Sequence, residues 1–275
     1  MSERKAPSFL TASARVFELS LGEMLWSKRT IFMALVVGGP VLLSIIFRIL
    51  AASGIAMLKV NGTRIEGMQI FGEMFWMLFV WFIVPILGVF YGTALIADEV
   101  EDKTITYLFT RPIQRGAVLV GKFLAYLVCT TLVVLPSVMI VYFMVVPFAQ
   151  VGPTFVLLLK DLGVLAIGLA AYGSLFALIG TVLKRPLIVG LIFAFGWEKA
   201  AVLMPGYLKR FTLLHYVQAL VPHAMPSEGT TSLLQAFFRE QPSVISALFW
   251  LFFALATSLF LATRAVEQRE YVLEQ

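Results

Sequence analysis

Four acidic side chains, Asp98, Glu99, Glu101 and Asp102, fall within a few residues of one another in a chain of which only 13% is charged. Three bases, Arg111, Arg115 and Lys122, follow closely in the stretch IADEVEDKTITYLFTRPIQRGAVLVGK, residues 96–122. Charges are costly in apolar surroundings unless they meet water, a counter-charge or a partner, so this stretch must face something polar. Its end, Gly116, Gly121 and Lys122, spells the G-x-x-x-x-G-K of a phosphate-binding loop. Phe123, however, stands where that motif needs a hydroxyl for magnesium, and GAVLVGKFLAYL opens a long apolar run rather than following a strand. The segment reads as the foot of a helix, and the chain itself as binding no nucleotide.

The other reactive residue types are sparse. His215 and His223 are the only histidines and Cys129 the only cysteine, which leaves no metal-ligand spacing and no internal disulfide. No Ser, His and Asp follow the order of a hydrolase triad. Glu198 is the sharper candidate. It lies about 20 Å up a helix that would start at Arg185, a depth at which an ionisable group faces a cavity or a partner, unless the helix is short and the charge already interfacial. Lys199 beside it points about 100° away and could snorkel outward. Gly88 and Gly92 form a G-x-x-x-G pair that permits close helix approach, within the chain or between copies.

The elements that hold these residues follow from composition. Hydrophobic residues make up 60% of the 275 and Phe alone numbers 24, far more apolar than a soluble domain. Long uncharged runs of this kind cross the bilayer as helices, because backbone groups in lipid must be satisfied internally. Spans are expected at about Thr30–Ala52, Met74–Ala97, Gly116–Val146, Phe155–Leu183, Pro186–Met204 and Pro242–Thr263. Pro147, Gly152 and Pro153 should turn the chain between the third and fourth, leaving Lys160 and Asp161 near headgroups. The fold class is therefore an all-α polytopic membrane protein with six transmembrane helices, a single transmembrane domain over 1–275. Its positive charge is explained better by membrane flanks than by nucleic acid. Lys and Arg are concentrated in the connections that share a side with the N-terminus, which places both termini in the cytoplasm.

Two further elements complete the layout. Within residues 1–29, Leu10, Ala14, Phe17, Leu21 and Met24 recur at helical spacing, marking an amphipathic helix in the membrane interface. Within 205–241, on the outer side, Tyr207, Phe211, Leu214, Val217 and Val221 form one helical stripe and Leu233, Leu234, Phe237 and Phe238 a second. The opening segment becomes a short cytosolic helix over 98–112. Asp98 and Glu101 have the spacing of a capping box, the acids suit a helix N-terminus, and Pro112 ends the helix near Thr110. Ile105, Leu108 and Phe109 share one face. Anionic lipid would suit the bases here but repel the acids.

Taken together, an interfacial helix, six spans, an acidic loop after the second and outer helices before the sixth resemble the ABC-2 type permeases, the membrane subunits of ATP-binding-cassette exporters. The most specific pieces are the 96–122 stretch and the sequence Trp197-Glu198, Pro205, His215-Tyr216 and Leu220, with Thr212 near where a Ser is expected. The resemblance implies a coupling helix over Asp98–Pro112 that docks on a separate cytosolic ABC ATPase. Asp98, Glu99, Glu101, Asp102, Thr104, Ile105, Leu108, Phe109, Arg111, Pro112 and Arg115 would serve coupling, and Glu198, Gly88 and Gly92 the transport path or gate. It also implies a second permease copy, identical or a sister chain, a location in the cell (inner) membrane in contact with lipid, and ATP with Mg bound by the partner rather than here. A channel, an intramembrane enzyme or a non-transporting anchor for an ATPase are the alternatives from other classes.

Overall fold

The structure is a computed structural model that describes residues 8–53, 59–60, 63–64, 67–101, 114–204, 207–221 and 242–268. Helix α1, Phe9–Leu25, starts at the Ser8 cap, whose hydroxyl accepts from the Thr11 N–H at 3.4 Å. A tight joint at Trp26 and Ser27, where Ser27 Oγ donates to the Met24 carbonyl at 3.0 Å, turns the chain into α2, Lys28–Ala52. A two-residue antiparallel ladder pairing Lys59 with Arg64 and Val60 with Thr63 follows, the one strand pair among the described residues.

Helix α3 then runs from Gly67 to Glu101 in alternating pieces. Gly67–Met74, Val84–Leu87 and Ala94–Glu101 are α-helical, while Phe75–Ile83 and Gly88–Gly92 are π-helical. Arg115–Val145 forms α4 and Phe148–Val182 forms α5. Helix α6, Pro186–Leu203, is again interrupted by a π segment, Ile192–Trp197. A 3-10 turn, Tyr207–Phe211, leads into α7, Leu213–Leu220, and α8 spans Val244–Gln268.

Five of these helices are long and apolar enough to cross a membrane: Arg29–Ala52, Gly67–Glu99, Arg115–Val145, Phe148–Val182 and Val244–Gln268. The protein is thus a multi-pass helical membrane protein. The apolar stretches of α3 and α5 are each 61% buried, against 22% for α2 and 17% for α8, so α3 and α5 form the centre and α2 and α8 the rim. Gly88 and Gly92 settle on the intramolecular side of the alternative. A Cβ on Gly88 would lie 2.8 Å from Tyr172 Cβ, and one on Gly92 would lie 2.9 Å from the Gly173 carbonyl oxygen. Missing side chains on α3 let its backbone touch α5 directly, the close approach that small residues permit.

Several expectations are corrected. The capping-box reading fails because Asp98, Glu99 and Glu101 close the helix Ala94–Glu101 instead of opening a new one. The helix of span two simply continues to Glu101, and its negative end must be compensated from elsewhere. On α1 the buried residues are Ala12, Ser13, Val16 and Ser20, with Leu10 exposed. The protein-facing side is the small-residue side, because a Cβ on Gly121 of α4 would sit 2.6 Å from the Ser13 carbonyl oxygen. Of the apolar stripe, Leu10 and Ala14 are exposed, while Leu21 and Met24 pack against the core.

Between α4 and α5 the turn is confined to Val146 and Pro147, and Pro153 lies inside α5. Proline loses only one backbone bond near a helix start, which the flanking Gln150–Thr154 contact at 2.6 Å helps to offset. Asp161 consequently lies one side further in than expected and is fully buried, while Lys160 stays exposed. The stripe from Tyr207 to Val221 is split at Thr212, whose extended backbone caps α7, so Tyr207 and Phe211 are exposed while Leu214 and Val217 are buried. The second outer stripe, His223 and Pro205 lie outside the described residues.

A test of the α3–α5 seam compares two glycines. At Gly180 an added Cβ would meet the Thr93 backbone, with its carbonyl carbon 3.0 Å away, whereas at Gly38 nothing lies within 4 Å. Gly180→Val is expected to lower the apparent Tm of the detergent-purified protein by several degrees, for an overpacking cost of about 1–3 kcal/mol, while Gly38→Ala should leave it unchanged or raise it slightly.

Candidate functional site at the joint of α6

Glu198 sits where the π segment of α6 passes into its last α-helical turns. It is fully buried among the helices. One carboxylate oxygen accepts from the Tyr172 hydroxyl of α5. The other accepts from the Leu213 N–H at 2.9 Å, the first helical residue of α7, where a negative charge complements the helix dipole. Thr212 completes that helix end, its hydroxyl accepting from the His215 N–H at 3.3 Å. A Ser at the position would cap equally well, which removes the significance of that departure. Beyond it, Tyr216 donates to the Arg210 carbonyl at 2.9 Å, and burial pushes its phenol above the usual value, keeping it a donor.

Lys199 points to a different neighbour and does not snorkel outward. Its Nζ donates to the Trp81 carbonyl of α3 at 2.5 Å and lies 4.5 Å from the centroid of the Trp81 ring. The acceptor is available for a reason visible in sequence. Pro85, four residues on, has no N–H to return to that carbonyl. The ammonium thus occupies a place that a helical hydrogen bond would fill, and the indole face adds a cation–π attraction. Two adjacent charges on α6 therefore grip separate elements, Glu198 holding α5 and α7 and Lys199 holding α3.

A second polar cluster lies at the opposite end of α3. Asp98 pairs with Arg29 of α2 at 2.5 Å, and Glu99 pairs with Lys122 of α4. The first pair is open to solvent, with side chains 45% and 35% exposed, and such pairs contribute about 0–1 kcal/mol. The second is more enclosed, since Lys122 is only 8% exposed. Lys122 is therefore neither a phosphate ligand nor a headgroup contact; it neutralises the negative end of α3. Arg115 starts α4 nearby. Asp102, Thr104, Ile105, Leu108, Phe109, Arg111 and Pro112 lie outside the described residues, and of Glu101 only the backbone is described.

Sequence reasoning found Glu198 and the acidic cluster but missed Tyr172, the α7 N-terminus and the Trp81 carbonyl. Only the last carried a signal, in Pro85. Among the described residues no three His, Cys, Asp or Glu side chains are placed to hold a metal. The arrangement supplies polar joints between helices.

A multi-pass bundle of this kind, with its charged residues tying helices together, defines an integral membrane protein. The match to a family model is direct: residues 29–265 fit the one described as ABC-2 family transporter protein. The chain belongs to that family and is a permease subunit of an ABC transporter. No curated relative matches it.

The Glu198 clasp makes a measurable prediction. Tyr172→Phe should destabilise the purified protein by about 1–3 kcal/mol, by depriving a buried charge of a hydrogen bond, and Glu198→Ala by more. In a double-mutant cycle read by thermal unfolding, the two losses should fall well short of additive.

Proposed function

We propose that the chain is the membrane half of an exporter driven by a separate cytosolic ABC ATPase that binds ATP and Mg. It sits in the cell membrane as a single domain over 1–275 with both termini in the cytoplasm. Helix α6 serves as a fifth of six spans, and the region 205–241 lies outside. Two permeases, identical or sister chains, assemble with two ATPases. Support for this reading comes from the family match over 29–265 together with one structural observation. The end of α3, immediately before the 102–112 segment, is braced to α2 by Asp98–Arg29 and to α4 by Glu99–Lys122.

That bracing suits a coupling element. Closure of the ATPase pair on ATP pushes the coupling element over Asp98–Pro112, whose first residues are the end of α3, and the brace passes the displacement to three membrane helices at once. Ile105, Leu108 and Phe109 supply apolar contact to the ATPase, at most about 1.5–3 kcal/mol each before association costs. The acids supply register and steering. Helix α3 carries the motion through its π segments to the seam at Gly88 and Gly92. At the far end Lys199 and Glu198 convert it into movement of α6 and α7, which serves as the gate on the outer side.

Charge reversal at Glu101 and Asp102 to Lys should abolish transport and co-purification of the ATPase while membrane insertion stays intact. Undiminished recovery of the ATPase in detergent would overturn the coupling role. Glu198→Gln, which keeps acceptors but loses the charge, should change transport or substrate-stimulated ATP hydrolysis in vesicles without changing assembly; a wild-type transport rate would remove Glu198 from the gate.

A further inference from the structure

A cavity of about 540 Å³ opens between the first turns of α2, the last turns of α3 and the turn that joins α5 to α6. Its polar edge is formed by Arg29, Lys184 and Arg185, with Asp98 the only acid lining it. Asp98 is already taken by Arg29. Lys184 and Arg185 have no ion pair or hydrogen bond to another side chain among the described residues, and both are exposed. Among the described residues the cavity therefore carries an excess of positive charge.

Its other wall is apolar. Phe32 and Phe90, whose rings lie 4.8 Å apart, form the back, and Leu187 and Ile188 form the flank. One turn further along the same helix faces stand Leu35, 73% exposed, and Ile192, 66% exposed. The cations thus sit at the ends of apolar helices, where charges of a membrane-spanning helix meet headgroups, and an apolar furrow leads away from them along the exposed faces of α2 and α6. A two-part ligand with an anionic head and hydrocarbon tails fits both walls.

We propose that this cavity binds an anionic phospholipid, its phosphate held by Lys184 and Arg185 and its acyl chains laid against Leu35 and Ile192. The site lies beside the Arg29–Asp98 pair, so an occupied headgroup competes with Asp98 for Arg29 and loosens the brace on α3. Phosphatidylglycerol then becomes a regulator of the transmission, distinct from whatever is transported.

The experiment uses the full chain purified in mild detergent, with native mass spectrometry reading retained phosphatidylglycerol against phosphatidylcholine. The wild type is expected to retain phosphatidylglycerol selectively, and Lys184→Gln/Arg185→Gln to lose that selectivity by about 30-fold, roughly fivefold for each interfacial cation. Lys184→Arg/Arg185→Lys should keep it, and Arg264→Gln, at the far end of α8, should keep it too. Monodisperse elution of every variant shows that the fold is intact. Inorganic phosphate at millimolar concentration should not displace the lipid; full displacement would mean an ion site without a lipid furrow and would overturn the proposal. Equal retention of both lipids, or unchanged selectivity in the double Gln variant, would do the same. Loss of ATPase recovery with lipid selectivity intact would assign the two cations to a protein partner instead.

Discussion

A carboxylate buried in an apolar helix bundle has to be fully hydrogen-bonded, and that requirement at Glu198 organises one end of this protein. The Tyr172 hydroxyl fixes α6 to α5, and the Leu213 N–H fixes α6 to the start of α7. Because Leu213 follows directly on the Thr212 cap, the 3-10 turn and α7 take their positions from the same charge. Lys199, one residue on, is satisfied by α3 through a carbonyl that Pro85 has left without its helical donor. A defect in one helix becomes the docking point of another.

The opposite end is organised by a different electrostatic constraint. A helix ending in Asp98, Glu99 and Glu101 places negative charge on the negative end of its own dipole, which is unfavourable in isolation. Arg29 and Lys122 relieve it from the two neighbouring helices. Stability at this end therefore depends on α2, α3 and α4 staying together, and the close approach of α1 to Gly121 adds the interfacial helix to the same assembly.

Five of the six expected spans were legible in sequence, because long uncharged runs leave few alternatives in lipid, while the stretch expected as the fifth, Pro186–Met204, is not among the helices long and apolar enough to cross. The π segments of α3 and α6 were not, since their aromatic-rich residues, FWMLFVWFI and IFAFGW, suit an ordinary α-helix equally well. Glu198 was legible as an anomaly, but its partners lie on α5 and α7, distant in sequence, and no local pattern announces Tyr172. The acids at 98–101 misled for a physical reason: the same residues that can cap a new helix can also end an old one, and only the bases on α2 and α4 distinguish the cases. On α1 the most apolar stripe was taken as the informative face, whereas close packing against α4 selected the smaller side chains of Ala12, Ser13 and Val16.

The π segment of α6 ends immediately before Glu198. A π turn accommodates one residue more than an α turn, so tightening it into α-helix would advance every later residue by about 100° around the axis. Adjacent side chains are separated by that same angle. A single-residue ratchet at Ile192–Trp197 would hand the place of Glu198 to Trp197, presenting an indole where Tyr172 and the α7 N-terminus now meet a carboxylate. Both hydrogen bonds to the carboxylate would be lost without any change in protonation, which gives α6 an internal means of releasing α7 by rotation alone.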